Sequence, residues 1–190
     1  MNTMIEQMLG KYSLRSRGDY ENALREIFQE LALLGLWRTK FFEHAAFYGG
    51  TALRILYGMN RYSEDLDFSL LQPDRTFDFS PYCRGIENEL KSWGFPVSVE
   101  SKNKTAQTAI ESAFLKAETL QQMIAIRAPA QITGSTHRNQ VLRIKVEIDT
   151  EPPGGFETET RFLTAPIPFS ARVYKEEDLF AGKMHAQIGR

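Results

Sequence analysis

The stretch that most restricts the fold runs from Phe47 to Leu71, FYGGTALRILYGMNRYSEDLDFSLL. Its lead-in, Ala45 to Tyr48, reads as a short buried strand, ended by Gly49 and Gly50, which admit backbone angles that a Cβ resists. Thr51 stands where a helix N-cap belongs, with Leu53, Leu56 and Tyr57 at helical spacing behind it. Unpaired backbone N–H groups should then point out of the turn, an arrangement that attracts phosphate. From Asp65 to Leu70 the alternation is that of a strand, so Asp65 and Asp67 face one side while Leu66, Phe68 and Leu70 face the other. Two carboxylates on one face can hold Mg²⁺.

Transfer of a phosphoryl or nucleotidyl group depends on positioning and on neutralising charge, through metal ions held by carboxylates and donors around the phosphates. An acid-x-acid pair alone is weak evidence, since Glu87/Glu89 and Glu157/Glu159 are such pairs too. The information lies in the ordered conjunction of Gly49-Gly50-Thr51-Ala52-Leu53 with Arg61-x-Ser63-x-Asp65-x-Asp67. Read singly, the two glycines are a tight turn. Arg61 and Ser63 are then either a local salt bridge and turn cap or contacts to phosphate and to the aspartates.

These residues resemble the first motif of the AbiEii/AbiGii toxin family, a branch of the DNA polymerase β-like nucleotidyltransferases. Glu177 to Ala186, EDLFAGKMHA, resembles the later lysine motif of that family. The resemblance implies an α+β chain with a polymerase β-like nucleotidyltransferase fold, a mixed β-sheet flanked by helices. It implies a toxin of a toxin–antitoxin or phage-defence pair that moves NMP from an NTP to an acceptor such as tRNA, with Mg²⁺ as cofactor and a cognate antitoxin protein as partner. On this reading Asp65, Asp67 and Glu147 hold the metal, Gly49, Gly50, Thr51, Arg61, Ser63 and Lys183 bind the nucleotide, and the three carboxylates and Lys183 are the catalytic set. Glu147, with Asp149 in reserve, is the third carboxylate that such enzymes place on a strand beside the pair.

Two other readings stay open: a nucleotidyltransferase acting on a small molecule of the antibiotic type, and an inert module that binds a nucleotide or a partner. The chain stops at Arg190, whereas family members continue into helices bearing another motif aspartate. The expectation is one nucleotidyltransferase domain over residues 1–190, without those helices and truncated.

The flanking sequence is that of an ordinary globular chain of 190 residues, with 42% hydrophobic and 25% charged. A net charge of −1 gives no global reason for nucleic-acid binding, so any RNA contact must be a local basic patch, with Lys91, Lys102, Lys104, Arg138 and Arg143 as candidates. Cys83 is the lone cysteine, expected as a small buried hydrophobe, and His44, His137 and His185 lack metal-ligand spacing. No apolar run reaches membrane-spanning length, so the cytoplasm is the default compartment.

Along the chain, Ile5, Met8 and Leu9 suggest a loosely attached helix, and Tyr20 to Leu34 an amphipathic one with Asp19 as N-cap. Arg38 to His44 reads as a short helical turn. A loop over Gln72 to Ser80 leads into a helix that Gly94 stops, and Phe95 to Glu100 is a strand with Pro96 at its start or on a sheet edge. Ser112 to Glu118 reads as a strand, although Leu115 to Ile126 also fits a helix. Pro129 to Asn139 is a loop. Val141 to Asp149 is the clearest strand, with Leu142, Ile144, Val146 and Ile148 against Arg143, Lys145, Glu147 and Asp149. Arg161 to Tyr174 is extended and broken by Pro166 and Pro168, and a helix begins near Glu176.

Overall fold

A computed structural model describes residues 3–101, 109–152 and 154–181. Seven strands form one mixed sheet in the order β3-β4-β5-β2-β1-β7-β6. They are β1 (Ala45–Tyr48), β2 (Asp65–Leu70), β3 (Ser98–Ser101), β4 (Ile110–Glu118), β5 (Val141–Asp149), β6 (Thr158–Leu163) and β7 (Phe169–Tyr174). β1 runs antiparallel to β2 and parallel to β7, and β2 runs parallel to β5. The helices are α1 (Thr3–Leu9), α2 (Arg17–Arg38), α3 (Gly49–Tyr57), α4 (Ser80–Ser92), α5 (Thr119–Ala125) and α6 (Ala130–Gly134), with a 3-10 turn at Phe41–Glu43. Residues 176–181 are helical as well. The fold is the expected α+β arrangement of a mixed sheet flanked by helices.

Period-two patterning sets which face of the sheet is buried. Leu66, Phe68, Ile144, Val146 and Ile148 are fully enclosed, and each such side chain contributes roughly 1.5–3 kcal/mol over leaving it in water. Leu24, Ile27, Phe28, Leu31 and Leu34 of α2 complete that core. Gly35, late in α2, sits where α2 crosses α4: a Cβ there would lie 2.9 Å from the Gly85 carbonyl oxygen. The two helices therefore approach through paired glycines.

Several elements depart from the expectations. α2 begins at Arg17 with Ser16 as N-cap, and Asp19 closes the capping box from its third position, accepting from the Ser16 N–H at 2.8 Å. α1 is not loosely attached, because Ile5, Met8 and Leu9 are all buried in the main core. The strand expected from Phe95 starts at Ser98, since Phe95 and Val97 turn into the core and Pro96 has no N–H for a ladder. The ambiguous stretch after Ser112 divides cleanly: β4 to Glu118, then α5. The supposed loop after Pro129 contains α6, one turn capped by backbone bonds alone. Cys83 is buried and unpaired as expected, and burial pushes its thiol up to about 12. Among the described residues no helix is long and apolar enough to cross a membrane.

Candidate functional site

The open face of the sheet carries the carboxylates. In the ladder Asp65 stands opposite Lys145 and Asp67 opposite Glu147, and residues paired in register share a face. Tyr48 of β1 is opposite Asp67 on the other side, so Tyr48, Asp67 and Glu147 form one row across three strands. Asp149 lies one step further along, opposite Ser69, and its carboxylate accepts from the Glu151 N–H at 2.9 Å.

The double glycine is tied to this row. Gly49 adopts a φ of 83° at the start of α3, and a Cβ there would overlap the Asp67 carboxylate. Only glycine satisfies both conditions. This corrects the expected role of Thr51: the residue preceding α3 is Tyr48, with extended angles and no side-chain cap, and Thr51 lies within the first turn. Its hydroxyl is buried and donates to the Asp65 carbonyl oxygen, which fastens α3 to β2. The N–H groups of that first turn are left without a side-chain cap.

Gly50, Arg61, Ser63, Asp65 and Asp67 line one cleft of about 460 Å³, together with Tyr62 and Glu64. Neither the Arg61 guanidinium nor the Ser63 hydroxyl has a partner among the described residues. A larger hollow of about 640 Å³ lies at the N-terminal ends of β1 and β7, with Arg38, Lys40, Glu43 and Arg172 in its wall. It carries no carboxylate pair, and Arg38 and Lys40 are already matched to Glu89 and Glu43. The carboxylate pair lies in the smaller cleft.

Burial, reinforced by like charge, marks that cleft electrostatically. Burial, then the neighbouring Asp65 and Glu147, pushes the Asp67 carboxyl up to about 7, with Lys145 pulling the other way. Asp65 is raised in the same direction, chiefly by burial. Burial and the Asp67 charge also raise the Tyr48 phenol. Lys145, a residue that the alternation of β5 placed on the polar face without a role, reaches Glu147 at 2.7 Å, and that bond together with the aspartates raises its ammonium. Its position two residues before Glu147 on the same strand face was the available signal.

Asp65 and Asp67 are the two carboxylates that could hold a divalent cation. Asp65 and Asp67 share a face and a cleft, and the upward shift of both carboxyls is the condition that a dication reverses. Among the described residues no three His, Cys, Asp or Glu side chains are set to hold one ion. Glu147 flanks the pair and is engaged by Lys145. Lys183 lies outside the described residues, as do Lys102 and Lys104.

No curated protein matches this chain. Among solved structures, a candidate nucleotidyltransferase from H. pylori is 20% identical, with 84% of this chain and 54% of that one covered, at a TM-score of 0.41. JHP933 from Helicobacter pylori is 18% identical, with 85% and 55% covered, at a TM-score of 0.45. This chain thus spans about half the length of the structures it matches. Residues 31–190, which take in β1, α3, β2, β5 and every residue of the cleft, match the family described as "Nucleotidyl transferase AbiEii toxin, Type IV TA system", and this chain belongs to that family.

Proposed function

We propose that this chain carries the nucleotide-transfer centre of a toxin that moves NMP from an NTP to the terminal hydroxyl of an acceptor such as tRNA, with Mg²⁺, and that a cognate antitoxin restrains it. The observation that supports this most is the register of β1, β2 and β5. It sets Asp65, Asp67 and Glu147 on one face, with the Gly49 backbone against Asp67 and the free Arg61 and Ser63 in the same cleft.

A dication on Asp65 and Asp67 would supply charge neutralisation to the triphosphate. Arg61, Ser63 and the uncapped first turn of α3 offer donors to its phosphate oxygens. The acceptor oxygen forms a bond to the α-phosphorus as the bond to the β-phosphate bridging oxygen breaks, and pyrophosphate leaves. The hydroxyl proton passes to a carboxylate oxygen of the row on the same face. Lys145 balances Glu147, so that the row stays together with less mutual repulsion.

Labelled NTPs incubated with Mg²⁺ and either total tRNA or a metabolite panel test the reading. Label in tRNA that disappears in Asp65→Asn supports it. Label in a small molecule moves the acceptor assignment to the antibiotic-type reading, and label nowhere while NTP binds leaves an inert nucleotide-binding module.

A further inference from the structure

We propose that Gln29 of α2, assisted by Arg25 and Glu26, is a positioning residue for the nucleotide cleft; the inference rests on the nucleotide reading of that cleft. Residues 58–64 form the wall that carries Arg61 and Ser63, and α2 grips this wall from behind. Gln29 is 2% exposed, and its Nε2 donates to the Ser63 carbonyl oxygen at 2.9 Å. Arg25 Nη2 pairs with Glu64 at 3.2 Å. Glu26 pairs with Arg54 of α3, which donates to the Met59 carbonyl oxygen at 2.8 Å and lies 3.7 Å over the Tyr62 ring. Met59, Tyr62, Ser63 and Glu64 are thus each held through a polar or π contact.

The placement of these contacts argues that the grip serves the cleft rather than stability alone. The contacts fix the backbone of the segment while leaving the Arg61 and Ser63 side chains unengaged, which is what preorganising donors for an anion requires. Residues 25, 26 and 29 precede residue 31, where the family match begins, so nothing in that match assigns them.

The chain contains its own control. Gln122 of α5 is also fully buried, and its Nε2 donates to the Pro96 carbonyl oxygen at 3.0 Å, away from the cleft. Gln29→Met and Gln122→Met remove the same kind of bond with the same change of shape. Calorimetric titration of the full chain with α,β-methylene analogues of the four NTPs in Mg²⁺ should show affinity about tenfold weaker for Gln29→Met and within about twofold of the parent for Gln122→Met. Amide exchange in residues 58–64 should rise in the first variant only. Equal affinity in Gln29→Met and the parent, or an equal loss in both variants, overturns the inference alone. A parent protein that binds none of the analogues overturns the nucleotide reading and this inference with it.

Discussion

The two segments that flank β2 differ in how they are anchored. Residues 58–64, which enter the strand, are held by polar side chains from α2 and α3: Gln29 on Ser63, Arg25 on Glu64, Arg54 on Met59 and Tyr62. Residues 71–79, which leave it, combine ring packing with polar contacts, the Asp74 N–H on the Thr150 carbonyl oxygen and Arg75 on Glu151. Phe77 and Phe79 pack on Phe41 and Tyr82, with centroids 5.6–6.3 Å apart, and Phe41 stands edge-on to Phe68 of the strand itself. Apolar packing is strong and non-directional, and here it takes Phe79 into the core and half-buries Phe77 while residues 72–76 stay exposed. Directional polar contacts cost more to assemble and contribute less, yet they fix a backbone whose own side chains stay available. The exit is tied to the core by its rings, and the entrance lines the cleft.

If that division is right, the largest effect on activity should come from the entrance end of the strand. Asp67→Asn is nearly isosteric and removes the charge, and nucleotide transfer should fall by about three orders of magnitude, comparable to removing a principal charge-stabilising group. Circular dichroism should show an unchanged fold. Asp67→Asn retaining parental transfer would place the chemistry elsewhere.

The next effect in size belongs to the exit and concerns stability. Phe41 is fully buried and touches five other rings, so Phe41→Ala should lower the unfolding free energy by about 3–5 kcal/mol. Nucleotide affinity, measured on the fraction still folded, should stay near the parental value. A matching loss of affinity would mean that the two segments are coupled through β2 and that their separation is not real.

How far this was legible in the sequence follows the same line. Period-two alternation exposed β2 and β5, including which residues of each share a face, because a strand with one buried side writes its environment into every second position. The double glycine exposed its turn because few other residues tolerate that backbone. The polar positions of α2 were illegible. Arg25, Glu26 and Gln29 look like the wet side of an amphipathic helix, and their partners lie 28 to 39 residues away. Thr51 misled for a related reason: its spacing suits an N-cap, but its hydroxyl serves β2, a strand whose approach no local pattern announces. Lys145 was visible as one cation in an alternating row and gained meaning only once β5 was set beside β2.

The cleft side should also be where pH acts. In the folded chain the Asp67 carboxyl keeps its proton up to about 7, whereas an unfolded aspartate releases it near about 4. The contribution is therefore complete below the unfolded value and disappears as pH rises through about 7, so the metal-free protein should lose stability between pH 4 and pH 8. Glu30, raised to about 7 chiefly by its own burial, adds a loss of the same sign. Urea titrations of parent and Asp67→Asn should show the variant more stable at pH 8 by on the order of 2 kcal/mol, with little difference at pH 4. A parent whose stability is flat across that range would remove the burial and like-charge effect that raises this carboxyl.

The smallest expected effect is the most discriminating. Arg61 lines the cleft with a guanidinium that has no partner among the described residues, so Arg61→Ala breaks no internal contact and should alter stability by less than about 0.5 kcal/mol. If the wall exists to present that group to phosphate, NTP affinity should nevertheless fall about tenfold, the loss of one charge-assisted contact. Arg61→Lys should recover only part of it, because an ammonium keeps the charge without the planar fork. Unchanged affinity in Arg61→Ala would leave an elaborately held segment presenting nothing. The polar grip of α2 would then be a second way of stabilising a loop, and the contrast with the aromatic exit would be one of materials rather than of purpose.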